Sequence, residues 1–412
     1  MSSKPVVLVC VNEVSRSNGG RSSALDLAET IYRLGYDVYI GTNSVSGAIL
    51  LLKQNECPTI VPRSRILVLP AFFQRVERKT ISSLLKTSAY SLLSLLRKDK
   101  RIYAILGSAN VMIFACGQIP WRSIKKIREM TSARLVRNHA GSSLTFESVI
   151  DNQSIPRPYP SSRARYIAYC EIFDGLLFQS GNQADECASY DRSLRDRCIV
   201  VKPSVQESAL LAAKIESSPF DENRKAIINV GGIQPRKAQH LTLQAFRRIA
   251  DRLSDSDLHF VGGVTDKNYF AGLERLVRDG DMVHRVFFHG HRSDYLRFIS
   301  HASVVVQSSE QEGVSRVLRE AMFLKVPIVG SSLSGTRELL AADKEALLVK
   351  SGDVLGLAEA IERVLTERSL ADNLASAAFD AYMRNNSYAV YERSVDAMIR
   401  NLLSSQPLAA QT

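Results

Sequence analysis

The chain of 412 residues is 45% hydrophobic and 23% charged, a composition typical of globular proteins, and its length allows two or three domains. Its six cysteines form no C-x-x-C pair and no His/Cys spacing of the kind that holds zinc, which favours a reduced, cytoplasmic protein. The longest uncharged stretch, Ile102–Trp121, contains glycines, an asparagine and a proline, so we interpret it as a loop and a strand rather than a membrane span. Met1–Lys4 leads directly into a strand pattern, and we expect no secretion signal.

The formal net charge of +11 arises in the first half of the chain. Residues 1–220 contain 29 Lys+Arg and 18 Asp+Glu, whereas the remainder contains 24 of each. This asymmetry favours an anionic partner, such as a membrane surface, a lipid phosphate or nucleic acid. A merely well-solvated basic face explains it equally well.

A basic amphipathic helix is predicted over Val76–Leu96, with lysines and arginines flanking it from Arg75 to Arg101. Such a helix either lies on an anionic bilayer or packs on the core with its lysines in solvent. Nucleic-acid binding favours aromatic residues interleaved with basic ones. Tyr90 is the only aromatic residue between positions 76 and 101, which makes nucleic acid the weaker hypothesis.

The first half reads as a doubly wound domain. Pro5–Val11 is predicted to be a buried strand, and the polar turn after it ends in Asn18-Gly19-Gly20. A helix is predicted next, with apolar positions from Ala24 to Leu34, and Asp37–Ile40 is the following strand. Two glycines before a helix allow a phosphate or sugar to approach the backbone, although they also occur in ordinary turns. Further strands are predicted at Ile66–Leu69, Val111–Ala115, Ala133–Val136, Gly175–Gln179 and Ile199–Pro203. His139 would lie just past a strand, in a glycine-containing loop, where it either faces a crevice or is structural.

The second half repeats this organisation after a connector, Ser204–Lys225. We expect a first domain over 1–203, the connector over 204–225, a second domain over 226–385 and a C-terminal helix and tail over 386–412. The predicted strands of the second domain are Ala226–Val230, Leu258–Val261, Val286–Phe288, Val304–Val306, Pro327–Gly330 and Ala346–Val349. Two α/β domains that each begin with β-α-β are expected to face one another, with the ligand in the cleft between them.

Two glutamates in the segment Val304–Glu338 are the main candidates for ligand binding. Glu312 lies in the polar loop 308–315 at the carboxyl end of a buried strand, and Glu320 lies on the helix predicted over Arg316–Leu324. Carboxylates accept hydrogen bonds from hydroxyl groups, and backbone amides at a helix start favour an anion. Arg236 and Lys237, which follow an earlier strand, supply positive charge for a diphosphate. A nucleotide-diphosphate sugar satisfies these demands together, although the glutamates can also belong to a solvated face.

The same segment, SSEQEGVSRVLREAMFLKVPIVGSSLSGTRELL, resembles the donor-binding region of the family-4 glycosyltransferases, which are retaining enzymes of the GT-B fold with a Glu-x7-Glu signature. The order of RKAQHLTLQAF, HFVGG, VFFHGHRSD and ALLVKSGD around it is also similar to that family. The resemblance is specific from Ile228 to Asp353 and weak between Thr42 and Asp185. It implies two Rossmann-like domains, with the C-terminal helix crossing back to the first.

The resemblance also implies a role for each matching residue. Glu320 would hold the ribose hydroxyls, Arg236 and Lys237 would bind the diphosphate and stabilise the leaving group, and Glu312 would contact sugar hydroxyls near the reacting carbon. His139 would lie beside the donor sugar. The implied donor-binding residues are Gly20, Gly232, Arg236, Lys237, Glu312, Gly313, Val314, Ser315, Val317, Leu318 and Glu320. The catalytic ones are His139, Glu312, Arg236 and Lys237, with no metal and no cofactor.

Departures from the family pattern surround the sugar and phosphate positions. Val314-Ser315 replaces an aromatic residue and glycine, Ser334-Gly335 replaces a glycine pair, and Ala238 follows Lys237 where glycine is usual. We expect a retaining, metal-independent hexosyltransferase that moves a sugar to a glycan or lipid-linked acceptor in surface polysaccharide or glycolipid synthesis. It would be cytoplasmic, or peripheral on the inner face of the membrane. A nucleotide-sugar epimerase or hydrolase of the same fold, and a non-catalytic protein that binds anionic membranes or nucleic acid, remain alternatives.

Overall fold

A computed structural model describes residues 4–11, 23–42, 61–68, 100–115, 121–139 and 162–405. The predicted basic helix at Val76–Leu96 and the Gly20 turn lie outside these ranges. The described chain divides into two compact units. One comprises the described residues up to Val201 together with those from Glu392 onward, and the other runs from Lys202 to Tyr391.

The first unit contains a seven-stranded parallel sheet in the order β3-β2-β1-β4-β5-β6-β7. Its strands are β1 (Val6–Val11), β2 (Asp37–Thr42), β3 (Ile66–Val68), β4 (Val111–Ala115), β5 (Arg134–His139), β6 (Gly175–Phe178) and β7 (Cys198–Val200). Its helices are α1 (Ser23–Arg33), α2 (Lys100–Ser108), α3 (Trp121–Met130), α4 (Ser162–Cys170) and α5 (Gly181–Tyr190). The strand order reverses between β1 and β4, as in Rossmann-like folds.

The second unit contains a six-stranded parallel sheet in the order β10-β9-β8-β11-β12-β13. Its strands are β8 (Lys225–Val230), β9 (Ser256–Val261), β10 (Val286–Phe288), β11 (Val304–Gln307), β12 (Ile328–Ser331) and β13 (Leu347–Val349). Its helices are α6 (Glu207–Ile215), α7 (Gln239–Ile249), α8 (Lys267–Asp279), α9 (Tyr295–Ser300), α10 (Arg316–Leu324), α11 (Ser334–Leu339), α12 (Val354–Thr366) and α13 (Arg368–Asn385).

Both faces of the second sheet are covered, and the strand sequences show why. Successive side chains of a strand point to opposite faces. Ile227 and Val304 belong to one apolar cluster, and their neighbours Ile228 and Val305 belong to another. All four side chains are fully buried. The continuous β-branched runs therefore form strands that are buried on both sides, as parallel sheets require.

The last helix, α14 (Tyr388–Ser404), returns to the first unit, as predicted. The hydroxyl of Tyr36 donates to the carboxylate of Asp396 at 3.0 Å. The guanidinium of Arg134, which is buried, donates to the carbonyl of Leu402 at 3.0 Å. Within the described ranges, no helix combines the length and the apolar character needed to cross a bilayer.

Three sequence predictions are corrected by these elements. The stretch expected to be a loop before Val111 contains helix α2, and the expected connector contains helix α6, whose Leu210 and Ala213 are buried. Strand β5 continues to His139 instead of ending at Val136, because its polar residues pair with β6 and are buried. His139 is therefore the last residue of a strand and not part of a loop.

Candidate functional site

The predicted charged residues of the second unit lie where the order of its strands reverses. Neighbouring strands β8 and β11 form this switch point, and ligands of open parallel sheets bind at such points, beyond the carboxyl ends of the strands. The loop after β8 carries Arg236 and Lys237, and the loop after β11 carries Glu312. The amide of Glu310 donates to the carbonyl of Arg236 at 3.0 Å. A backbone hydrogen bond thus joins the two loops.

Lys237 and Glu312 form an ion pair across these two loops. Their side chains are only 16% and 14% exposed, so water screens the pair weakly compared with surface pairs. The hydroxyl of Ser309 lies 3.4 Å from the same carboxylate oxygen of Glu312. The structure therefore places two predicted site residues, separated by 75 positions in sequence, in direct contact.

Gly231 lies beside the lysine and adopts a backbone conformation that favours glycine. Its φ is +152°, and a Cβ at this position would lie 3.5 Å from Cε of Lys237. The predicted Gly232 instead accepts a hydrogen bond through its carbonyl from the Gln239 side chain at 3.0 Å. Arg236 is exposed, and among the described residues nothing pairs with its guanidinium. The arginine is thus available to a ligand, while the lysine is held in place.

Glu320 lies on helix α10, as predicted, and is 4% exposed. The hydroxyl of Tyr295 donates to its carboxylate at 2.7 Å. The helix begins after Ser315, whose hydroxyl accepts from the amide of Leu318 at 3.4 Å and from the Gln307 side chain at 3.1 Å. These contacts tie the start of the helix to Gln307, the last residue of β11, and tie the carboxylate of Glu320 to α9.

The other predicted donor-binding residues occupy distinct environments. Val314 and Val317 are half-buried, whereas the side chain of Leu318 is fully buried in the apolar core. Gly313 packs directly against Gly335, where a Cβ would lie 2.1 Å from the Gly313 carbonyl oxygen. The start of α11 therefore leaves no space for a side chain beside the Gly313 backbone.

A Gly335→Ala variant is expected to lose about 1–3 kcal/mol of unfolding free energy, because the added methyl group must displace the Gly313 backbone. Gly272→Ala is the matched control, since a Cβ there meets no atom within 4 Å and alanine favours the helix by up to about 1 kcal/mol. Urea unfolding of both variants measures the difference. Equal stability of Gly335→Ala and the wild type would contradict the close approach of these two backbones.

His139 occupies a buried position in the first unit. It is 3% exposed, its ring stacks on Phe178 at 4.8 Å, and its Nε2 atom has no hydrogen-bond partner among the described residues. Burial, with the positive charge of Arg137, lowers the pKa of His139 from 6.5 to about 3. The imidazole is therefore neutral at physiological pH and can donate or accept one hydrogen bond, but it does not supply a positive charge.

This depressed pKa predicts a loss of stability in acid. The unfolded chain binds a proton at His139 below pH 6.5, whereas the folded chain does so only near pH 3. Stability therefore falls as pH decreases through this window, by up to about 1.4 kcal/mol per pH unit. A His139→Gln variant is expected to show a shallower decrease between pH 7 and 5 in urea unfolding, whatever its stability at pH 7. Parallel curves for variant and wild type would contradict the buried, neutral imidazole.

Three residues that contact the predicted site residues were not predicted from the sequence. They are Gly231, Tyr295 and Ser309. The doubled glycine after β8 was a detectable signal for Gly231. No local pattern marks Tyr295, because it meets Glu320 only after α9 and α10 pack together. Gly20, predicted to approach the diphosphate, lies outside the described residues.

Comparison with known proteins shows similarity in sequence over the second unit and similarity in fold over nearly the whole chain. The family model described as "Glycosyl transferases group 1" matches residues 212–381, which is most of the second unit and less than half of the chain. The N-acetyl-alpha-D-glucosaminyl L-malate synthase of Bacillus anthracis is 27% identical over 159 residues, 39% of this chain and 41% of that protein. The lipopolysaccharide core biosynthesis glycosyltransferase LpsE of Rhizobium meliloti is 27% identical over 181 residues, 44% of this chain and 50% of that protein. The chain spans about half the length of these curated relatives.

The fold is similar over nearly the whole chain to that of a solved structure, Anabaena Alr3699/HepE in complex with UDP. The TM-score is 0.70 at 14% identity, with 96% of this chain and 100% of that chain covered. A likeness at this identity concerns the fold alone. It confirms the predicted class, an α/β protein with two Rossmann-like domains of the GT-B type.

Proposed function

We propose that the chain is a retaining glycosyltransferase that uses a nucleotide-diphosphate sugar as donor, and the match of residues 212–381 to the group 1 glycosyltransferase model supports this proposal. The observation that carries this proposal is the arrangement at the switch point of the second sheet. A partly buried Lys237–Glu312 pair, the exposed Arg236 and the buried Glu320 all belong to elements that meet there. Such a site offers cations for a diphosphate and carboxylates for sugar and ribose hydroxyls.

The proposed chemistry follows from where charge develops. Breaking the bond between the sugar and the diphosphate leaves negative charge on the departing phosphate oxygen. Lys237 and Arg236 stabilise that charge, and a lysine already held in position needs little reorganisation to do so. Glu320, anchored by Tyr295, accepts hydrogen bonds from the ribose hydroxyls. Glu312 contacts sugar hydroxyls near the reacting carbon.

The proposed acceptor is a hydroxyl group of a glycan or of a lipid-linked saccharide. Support comes from relatives whose names describe lipopolysaccharide core and capsular polysaccharide biosynthesis. The HepE structure contains UDP, which makes uridine nucleotides the first donors to test. The unusual Val314-Ser315 pair lies next to Gly313, where the sugar is proposed to lie, and we expect it to influence the choice of sugar.

A donor panel tests the proposed activity. The full chain is mixed with UDP-, GDP-, ADP- or dTDP-linked sugars, and its thermal unfolding and the release of free nucleotide are measured. A donor present at 100 times its Kd is expected to add about 2.7 kcal/mol to the unfolding free energy. If no sugar nucleotide raises the melting temperature or releases nucleotide, the proposed function is wrong.

The proposal assigns the stabilisation of the leaving group to protein cations and not to a metal ion. We therefore expect the rate of nucleotide release to remain unchanged after EDTA treatment. A metal-assisted reaction would instead lose the Lewis acid that stabilises the departing phosphate. Restoration of a lost rate by Mg²⁺ or Mn²⁺ would contradict this part of the proposal.

We also propose that the protein works in the cytoplasm at the inner face of a membrane, through its basic first half. The full chain is expected to sediment with vesicles that contain anionic lipid, and less so as salt screens the charges. Replacing Lys79, Lys86 and Lys98 with glutamine should weaken this binding by about 1 kcal/mol for each lysine. Equal sedimentation with anionic and neutral vesicles would argue against an electrostatic membrane contact.

A further inference from the structure

Three buried polar side chains form a chain of hydrogen bonds next to the loop that carries Arg236 and Lys237. Asn229 lies on strand β8, Thr242 lies on helix α7, and Ser308 directly follows strand β11. All three are buried. The side-chain amide of Asn229 donates to the hydroxyl of Thr242 at 3.2 Å, and that hydroxyl donates to the hydroxyl of Ser308 at 2.8 Å. The chain of hydrogen bonds therefore connects the two strands of the switch point through a helix.

This chain of hydrogen bonds ends on the backbone of the lysine loop. The hydroxyl of Ser308 donates to the carbonyl of Ala238 at 2.9 Å and lies 3.4 Å from the carbonyl of Lys237. The backbone of Ala238 is left-handed, a conformation that is costly for residues other than glycine. The hydrogen bond from Ser308 therefore stabilises the turn that directly follows the lysine.

Ser309 and Glu310, the two residues that follow the serine, also contact the proposed cations or their partner. The hydroxyl of Ser309 lies 3.4 Å from the carboxylate oxygen of Glu312 that pairs with Lys237. The amide of Glu310 donates to the carbonyl of Arg236 at 3.0 Å. Three consecutive residues after β11 thus determine where the backbone of both proposed cations lies.

The polar character of these three side chains favours a role in geometry. Asn229 is the only polar residue of β8 between Ala226 and Val230. Burial of a polar side chain costs free energy unless it is hydrogen-bonded, and each hydrogen bond adds little net stability. A satisfied polar network instead favours one arrangement of the groups that it connects. In the described part of the chain, no side-chain N or O atom of Asn229, Thr242 or Ser308 is buried without a partner.

We propose that Asn229, Thr242 and Ser308 are positioning residues for Lys237, an inference that rests on the proposed role of this lysine at the leaving group. They act through the backbone of the loop and not by contact with the donor. Because the lysine stabilises charge that develops only as the diphosphate departs, a displaced lysine slows the reaction more than it weakens donor binding. A misplacement of about 1 Å can lower a rate by about 10².

A double-mutant cycle distinguishes positioning from a general effect on stability. Ser308→Ala is expected to lower kcat for nucleotide release by about 10-fold and to leave the donor Kd unchanged. In a Lys237→Met background it should cause no further loss, because no charge remains to be positioned. Thr242→Val, which lacks the hydroxyl that donates to Ser308, should show the same dependence on the lysine.

Ser300→Ala is the matched control, because the Ser300 hydroxyl also donates to a backbone carbonyl of the second unit, that of Ala213, at 3.2 Å. It should leave kcat unchanged. If Ser308→Ala lowers kcat by the same factor with and without the lysine charge, the serine does not act through Lys237 and the inference is wrong. A raised donor Kd with normal kcat would also overturn it.

Hydrogen exchange tests the inference without any assay of sugar transfer. The amides of Lys237 and Ala238 donate to backbone carbonyls of the same loop, so their exchange reports the order of the turn. In the intact Ser308→Ala chain we expect faster exchange at these two amides and unchanged exchange in helix α13. Equal exchange in variant and wild type would overturn the inference even in an active glycosyltransferase. A normal rate in Lys237→Met would instead refute the proposed function of the lysine.

Discussion

A Lys237→Met variant is expected to lower kcat for nucleotide release by about 10²–10³, the effect of removing one preorganised group that stabilises charge in the transition state. Methionine keeps much of the length of the lysine side chain that lies near Gly231 but removes its charge. The loss should appear in kcat and in kcat/KM together, because the charge is needed most when the diphosphate departs. Steady-state kinetics with the best donor of the panel measures it.

Lys344→Met is the control for this experiment, because Lys344 is exposed and distant in sequence from the switch-point loops. It removes the same charge and is expected to leave kcat unchanged. A Lys237→Met enzyme with normal kcat and a raised KM would show that the lysine binds donor and transition state equally. That result would contradict its proposed role at the leaving group.

A Glu320→Ala variant is expected to weaken donor binding by about 30-fold, which corresponds to about 2 kcal/mol for hydrogen bonds to a charged group. Glu320 is buried and anchored by Tyr295, so no neighbouring surface carboxylate replaces it. Isothermal titration with the donor measures the change in Kd. Glu320→Gln keeps the shape of the side chain and is expected to give an intermediate loss.

Tyr295→Phe provides the matched test of positioning. It leaves the carboxylate in place but removes the hydroxyl that donates to it at 2.7 Å. We expect a smaller loss of affinity than for Glu320→Ala, because the glutamate remains but is less firmly oriented. Unchanged donor affinity in Glu320→Ala would refute the role assigned to Glu320.

The strands and helices of the second unit were predictable because, for each of them, the apolar pattern and the flanking polar residues indicate the same kind of element. Helix α10 has the predicted bounds, Arg316–Leu324, and strand β10 has the predicted bounds, Val286–Phe288. Short β-branched runs bounded by polar loops leave few alternatives to a buried parallel strand. Since ligands of parallel sheets bind beyond the carboxyl ends of the strands, the approximate location of the charged loops was predictable from their place directly after two predicted strands.

The contacts within the site were not predictable in the same way. The ion pair between Lys237 and Glu312 depends on how two loops fold against each other, and the anchor of Glu320 comes from another helix. His139 was assigned to a loop because Arg137, Asn138 and His139 are polar, yet all three are buried in strand β5. Tertiary contacts outweighed local polarity there.

At Ala238 the sequence departs from the pattern of the family that it resembles, and the structure shows how the alanine is accommodated. Its φ of 49° and ψ of 42° are left-handed, a conformation that is costly for residues other than glycine. The family usually has glycine at this position, next to the lysine. The chain tolerates alanine here because hydrogen bonds to the backbone of Ala238 stabilise the turn. The Ala238 carbonyl accepts from Ser308 at 2.9 Å, and its amide donates to the Pro235 carbonyl.

The anomeric form of the sugar released from its donor tests the central claim most directly. In the absence of an acceptor, water takes its place, and proton NMR follows the first minutes of hydrolysis of UDP-glucose or UDP-N-acetylglucosamine, both of which are α-linked. The account predicts that the α anomer appears first and that the β anomer follows only through mutarotation. Initial release of the β anomer would show inversion, and conversion to another sugar nucleotide would show an epimerase. Either result would contradict a retaining glycosyltransferase.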